Sequence, residues 1–214
     1  MKKKHVVFDF DGTIFNSNHI VSDSWQAVFR HYTGKDGNLS DIYKSFGETL
    51  RYTAGRFFPE HDVDDTIRIY RAYQDAHYQG RIGLFNGVQE MMDQLRAEGH
   101  TLSVVTSRTK ATTLNYLRCL ELDHYFDALV TCDDTKAHKP DPKPLQIALD
   151  ELGAKPEEAI MLGDTKFDIG CCSNAGVDSI LVEWSHEIDE EELQRLGFIP
   201  TYRAKTPADV LKLV

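Results

Sequence analysis

The chain is short of cysteine, of positive charge and of long apolar runs, and each shortage excludes something. Its four cysteines are Cys119, Cys132, Cys171 and Cys172. None forms a C-x-x-C pair, and adjacent residues such as Cys171 and Cys172 rarely bond each other, so reduced intracellular thiols are expected. Lys and Arg number 24 against 34 Asp and Glu, a net charge of -10. Nucleic acid is therefore not an expected partner, and any anion handled here needs a local cationic site, from a metal or from placed Lys and Arg. No stretch is apolar for long enough to span a membrane. The start, Met1-Lys2-Lys3-Lys4, has the charge of a signal peptide, but Asp9 and Asp11 break the apolar run behind it. A cytoplasmic protein without membrane partners is expected. Internal repeats and low-complexity segments are absent as well.

What is present is an ordinary globular composition: 214 residues, 41% hydrophobic and 27% charged. That length buries a sizeable core and suits one domain plus an insertion, or two small domains. The rest is organised around Val6-Val7-Phe8-Asp9-Phe10-Asp11-Gly12-Thr13. The apolar run reads as a buried strand that ends in two carboxylates one residue apart. One buried acid is costly and a second beside it more so, unless a cation is present. A plain Asp-Gly turn after a strand is the ordinary alternative.

Beyond Thr13 the hydrophobic period becomes helical. Val21, Trp25, Val28, Phe29 and Tyr32 share a face, and Gly34 can stop that helix. Residues 39–57 suggest one or two shorter helices. Val63, Ile67, Tyr70 and Tyr73 mark another, opened by Asp62, Asp64 and Asp65, whose charge suits a helix N-terminus. Residues 16–82 are thus expected to be all helical, their aromatics the core of a small bundle. From residue 83 strands and helices alternate. A helix carries Val88, Met91, Met92 and Leu95. Strands are expected at Thr101 to Val105, Phe126 to Thr131, Ala159 to Leu162 and Ser179 to Val182, with helices at 109–120, 142–152 and 166–175. The acidic run Asp189 to Glu192 reads as a solvated helix face, and a last helix starts near Pro207. This alternation implies an α/β fold with a doubly wound parallel sheet, whose ligands bind outside the carboxyl ends of the strands.

Polar residues cluster at those ends. Strand one is followed by Asp9 and Asp11, strand two by Thr106, Ser107 and Arg108. Lys139-Pro140-Asp141-Pro142-Lys143-Pro144 comes after strand three, and Gly163-Asp164-Thr165-Lys166-Phe167-Asp168 closes strand four. These residue types fit phosphoryl transfer. Magnesium takes oxygen ligands and keeps waters. An aspartate beside a metal-bound one can attack phosphorus. Thr106, Lys139 and backbone amides can hold the charge of the transferred group. An aspartic acid near other negative groups can protonate the leaving oxygen. Singly, each has an ordinary alternative: a strand-ending Thr106, a surface Lys139, and helix caps at Asp164 and Asp168. Four such coincidences at four strand ends argue against it.

The set DFDGTI (Asp9 to Ile14), VVTS (Val104 to Ser107), KPDPKP (Lys139 to Pro144) and GDTKFD (Gly163 to Asp168) resembles the haloacid-dehalogenase-like phosphatases over nearly the whole chain. The resemblance implies a Rossmann-like core, residues 1–15 and 83–214, with a helical cap at 16–82. It implies Asp9 as nucleophile and Asp11 as general acid and base, its backbone carbonyl also on the metal. Thr106 and Lys139 would hold the phosphoryl group, and Asp164 and Asp168 would complete a magnesium site with Asp9 and Asp11. An acid at position 11 favours phosphate over halide chemistry. Val104 to Ser107 and Val182-Glu183-Trp184-Ser185 look most like the phosphoglycolate phosphatases and their pyrophosphatase relatives. Asn16 departs from the Asp usual there, which bears on the substrate. Ser107 and the cap's Lys44, Arg51 and Arg56 are candidate substrate contacts, Arg51 foremost. Gly47 would allow a tight approach before Glu48, and Asn18 and His19 could face the cleft. Residues 14–18 and 80–85, with Gly80 and Gly83, would be hinges. The expected activity is magnesium-dependent hydrolysis of a small phosphorylated metabolite or pyrophosphate by a monomer or homodimer. The alternatives are a sugar phosphomutase of the same chemistry and, from another class, a phospho-accepting signalling domain.

Overall fold

The computed structural model describes residues 3–186 and 188–214, so the start at Met1 and Lys2 lies outside it. Six parallel strands form one sheet: β1 (His5–Phe8), β2 (Thr101–Val105), β3 (Ala128–Val130), β4 (Ala159–Gly163), β5 (Asp178–Val182) and β6 (Tyr202–Ala204). Their order is β3-β2-β1-β4-β5-β6, so the winding reverses between β1 and β4. In such sheets that reversal opens a crevice at the carboxyl ends. The register pairs Phe8 with Val104 on one side and with Leu162 on the other.

Period-two geometry explains why the strands read as apolar runs. Val6, Phe8, Leu102, Val104, Ile160 and Leu162 enter one core cluster, while Val7, Val105, Ala159 and Met161 enter another. Both faces are covered by helices, so both parities must be apolar. The covering helices are α5 (Val88–Ala97), α6 (Lys110–Cys119), α7 (Lys143–Leu152), α8 (Lys166–Ala175), α9 (Glu190–Leu196) and α10 (Pro207–Val210). Strand β6 was not anticipated. It is three residues long, sits at the sheet edge, and buries only Ala204, so it carries no alternating signature.

Four helices separate β1 from α5: α1 (Asn18–Thr33), α2 (Leu39–Lys44), α3 (Leu50–Phe57) and α4 (Val63–His77). Local signals set their ends. Gly34 closes α1 at φ 71°, and Asp62 caps α4 by accepting from the amides of Asp64 and Asp65. The insertion has its own core of Trp25, Val28, Ile42, Ala54, Phe58 and Tyr70. Its two crossings to the sheet run side by side: the Asn16 amide donates to the Gly83 carbonyl and that of Phe85 to Ile14. No helix among the described residues is long and apolar enough to cross a membrane, and the four cysteines are free.

Candidate active site

The first carboxylate is set by strand pairing. Asp9 follows β1, and its amide donates to the Leu162 carbonyl of β4 (2.8 Å). Asp164 follows β4 itself. Between them the chain must turn at Gly12, whose φ is 79° and where a Cβ would stand 1.9 Å from Asp164 Oδ2. Only glycine permits that approach. Asp168 sits in the first turn of α8 and completes a capping box with Thr165, whose amide (3.0 Å) and hydroxyl (2.6 Å) both donate to Asp168 Oδ2. The capping role foreseen as an ordinary alternative is thus real, and the same side chain also serves the site.

Asp9, Asp164 and Asp168 are all buried, and one carboxylate oxygen of each lies within 4.8 Å of the others. Lys139 enters from the loop before α7. Its ammonium donates to Asp9 Oδ1 (2.6 Å), Asp168 Oδ1 (2.6 Å) and the Val105 carbonyl (3.2 Å). Burial disfavours the lysine's charge, but the two carboxylates outweigh it and hold Lys139 protonated. Burial and the neighbouring Asp168 and Asp164 push the Asp9 carboxyl well above its ordinary range, against the pull of Lys139. Three carboxylates against one ammonium leave a deficit of positive charge. Asp164 Oδ1 is buried without a hydrogen-bond partner, the mark of a donor set built around something cationic. Asp164 Oδ2 is occupied, accepting from Ser185 Oγ (2.8 Å) and facing His186 Nδ1 at 3.2 Å.

Asp11 stands apart from that cluster. Arg108 grips it with two bonds, Nε to Oδ2 (2.9 Å) and Nη2 to Oδ1 (2.5 Å), and the Ser17 hydroxyl adds a third at 2.5 Å. Burial opposes the Asp11 charge, but Arg108 prevails and holds its carboxyl below the usual range. The guanidinium is itself buried, over the Tyr116 ring at 4.7 Å. The sequence places Arg108 at a strand end with no assigned part. A cation two residues past the Thr106 hydroxyl is the signal that could have marked it.

A cavity of about 100 Å³ joins these groups to the helical insertion. Thr106 lines it, 5% exposed, and so does Ser107, whose hydroxyl donates to the Gly47 carbonyl of the insertion (2.7 Å). Gly47 approaches the core closely, since a Cβ there would lie 2.7 Å from Thr165 Oγ1. The cationic contacts expected from the insertion are elsewhere. Arg51 is exposed, pairs with Asp64 and is outside the cavity lining. Arg56 pairs with Glu48 at 3.0 Å. Lys44 lies 3.9 Å from Asp189, in a wider groove that also takes in Asn18 and His19. The insertion's arginine that lines the cavity is Arg71 of α4, which the periodicity reading passed over. It flanks the buried stripe Thr66, Tyr70 and Gln74.

The comparisons agree with this geometry. A family model described as haloacid dehalogenase-like hydrolase matches residues 6–182. A pyrophosphatase, PpaX of Halalkalibacterium halodurans, is 35% identical over 215 residues, covering 100% of this chain and 98% of its own. A solved structure assigned as a phosphoglycolate phosphatase from Lactobacillus plantarum superposes with TM-score 0.83 at 26% identity, covering 100% of both chains. One assigned as a haloacid dehalogenase-like hydrolase from Bacteroides fragilis reaches TM-score 0.87 at 24% identity, over 98% of this chain and 100% of its own, a likeness of fold. With the motifs, the parallel sheet and the matched span in accord, the chain belongs to the haloacid dehalogenase-like hydrolases.

Proposed function

We propose that the protein is a magnesium-dependent phosphatase acting on a small phosphorylated metabolite or pyrophosphate through an aspartyl-phosphate on Asp9. The observation that carries this reading is the buried group of Asp9, Asp164 and Asp168 with Lys139 between two of them. Asp9, Asp164 and Asp168, with the Asp11 main-chain carbonyl, would hold magnesium, and the unpartnered Asp164 Oδ1 fits that role. Bound magnesium would balance the carboxylates and draw charge from the phosphoryl oxygens.

In the first half-reaction an Asp9 oxygen forms a bond to phosphorus while the bond to the leaving oxygen breaks. Lys139 and Thr106 hold the phosphoryl oxygens, and Asp11 supplies a proton where the leaving oxygen needs one. In the second half a water attacks the aspartyl-phosphate, Asp11 takes its proton, and the Asp9–phosphorus bond breaks to release phosphate. Arg108 favours the charged form of Asp11, which suits the proton-accepting half. It also suits a leaving group that departs as a stable anion, as the second phosphate of pyrophosphate does. The 35% identity to a pyrophosphatase supports that choice.

The test is phosphate release from a panel of small phosphate compounds with magnesium, repeated with Asp9→Asn. Turnover is expected in the parent and none in the variant, with an unchanged circular dichroism spectrum, because the amide keeps the shape but not the nucleophilicity. Full release by Asp9→Asn would overturn the mechanism. A mutase would instead return the phosphoryl group to the substrate, and free phosphate would not accumulate.

A further inference from the structure

We propose that Arg71 and Arg108 together form a seat for a second anionic group on the substrate, adjacent to the transferred phosphoryl group, and that Arg71 is the residue through which the helical insertion selects such substrates. The proposal deepens the phosphatase reading and rests on it.

Two observations carry it. Arg108 is 8% exposed and lines the cavity, yet its Nη1 has no hydrogen-bond partner. A buried guanidinium N–H left unpaired is costly, so a native site that keeps one has a use for it. Arg71, half-buried and lining the same cavity, donates a hydrogen bond to the uncharged Gln74 Oε1 (2.6 Å), and no ion pair among the described residues involves it. The three cations that the sequence offered from the insertion are each matched: Arg51 by Asp64, Arg56 by Glu48, Lys44 by Asp189.

Charge divides the cavity accordingly. At its floor three carboxylates face one ammonium. At the insertion side two guanidiniums face the carboxylate of Asp11, the Glu48 carboxylate that also lines the cavity being paired with Arg56, and burial together with the nearby Arg108 depresses the pKa of Arg71. The floor lacks positive charge and the other end lacks negative charge. A cation held by the carboxylates would supply the charge the floor lacks, and a compact dianion would then meet positive charge at both ends; guanidinium forks match the planar or tetrahedral oxygens of carboxylate or phosphate. The cavity of about 100 Å³ is well below the roughly 300–1,000 Å³ of sites for drug-sized ligands, so the two anionic groups must be close together. The seat fits a phosphoryl group bearing a second phosphate or a carboxylate within a bond or two.

Calorimetry with magnesium present tests this without requiring turnover. The probes are methylenediphosphonate, phosphonoacetate and methylphosphonate, which carry a second phosphonate, a carboxylate and no second anion. Arg71→Ala should weaken one or both dianionic probes by about tenfold or more relative to methylphosphonate. Arg71→Met, which keeps the aliphatic stem, should do the same, and Arg71→Lys should restore part of the loss. The probe that loses more identifies the second group as phosphate or carboxylate. Equal losses on all three probes, or none, overturn the proposal. Arg51→Ala should leave the ratio at the parent value, and a fall there as large as that of Arg71→Ala would assign the effect to the general field of the insertion and overturn it too. Failure of the phosphatase reading looks different: the parent would release no phosphate from any ester, while the binding ratio would still respond to Arg71.

Discussion

At the scale of single residues, two buried cation–carboxylate groups divide the labour. Lys139 ties Asp9 to Asp168, and Arg108 ties Asp11 in place. Their energetics differ. The Lys139 group is dry, with side chains 2%, 7% and 0% exposed, whereas the Asp11 side chain is 32% exposed. The wet side of Asp11 screens its pair, so Arg108→Gln should cost only about 1–2 kcal/mol at neutral pH, below the figure for a fully buried pair. Because Arg108 lowers the folded-state pKa of Asp11, this stability is present above the unfolded carboxylate range and is lost as pH falls through the folded value. The gap between parent and variant in urea unfolding should therefore be largest near pH 7 and close on acidification. A gap that widens in acid would contradict the ion pair as its source.

At the scale of elements, the site depends on how α8 begins and on how near the loop after α2 can come to it. Thr165 caps α8 and in the same act fixes Asp168. Gly47 presses against Thr165 and Phe167, and its carbonyl takes the Ser107 hydroxyl. Its φ of 89° is one that a residue with a Cβ rarely adopts. Gly47→Ala should therefore strain the loop by about 1–3 kcal/mol and hold the insertion away from the core. The expected reading is a raised KM with a smaller change in overall stability. An unchanged KM would show that this contact plays no part in enclosing the substrate.

At the scale of the whole molecule, the winding reversal between β1 and β4 brings Asp9 and Asp164 together, and the crossings at Asn16 and Gly83 hang the four-helix insertion over that point. These crossings lie where hinges were expected, and as hinges they would let one body open to admit substrate and close around it. Magnesium held as proposed would need β1, β4 and α8 assembled. It should raise the thermal midpoint, by an amount equivalent to about 2.7 kcal/mol at a hundredfold excess over its dissociation constant. Excess chelator should abolish phosphate release, and calcium should inhibit, because its longer bonds and larger ligand number would misplace the attacking carboxylate. Full activity in chelator would exclude the metal from the reaction.

The chemistry at the strand ends was legible because it is local. Each of Asp9, Thr106 and Asp164 stands directly after an apolar run that can only be a buried strand, and a parallel sheet carries all such ends to one edge. The acids and the hydroxyl therefore declare their shared neighbourhood through strand geometry alone. Strand β6 was not legible, because a short edge strand buries too little to leave a pattern. The cations of the insertion were not legible for a deeper reason. Helical periodicity tells which face of α3 or α4 is buried against its neighbours, but not how the bundle is turned toward the sheet. Lys44, Arg51, Arg56 and Arg71 are therefore equivalent on paper. So too with Arg108, whose grip on Asp11 spans 97 positions of the chain. The sequence alone determined the reaction chemistry that the strand ends can carry. Which arginines face the cavity was decided only when the helices packed, since that choice depends on rigid-body orientation and not on any local preference of the chain.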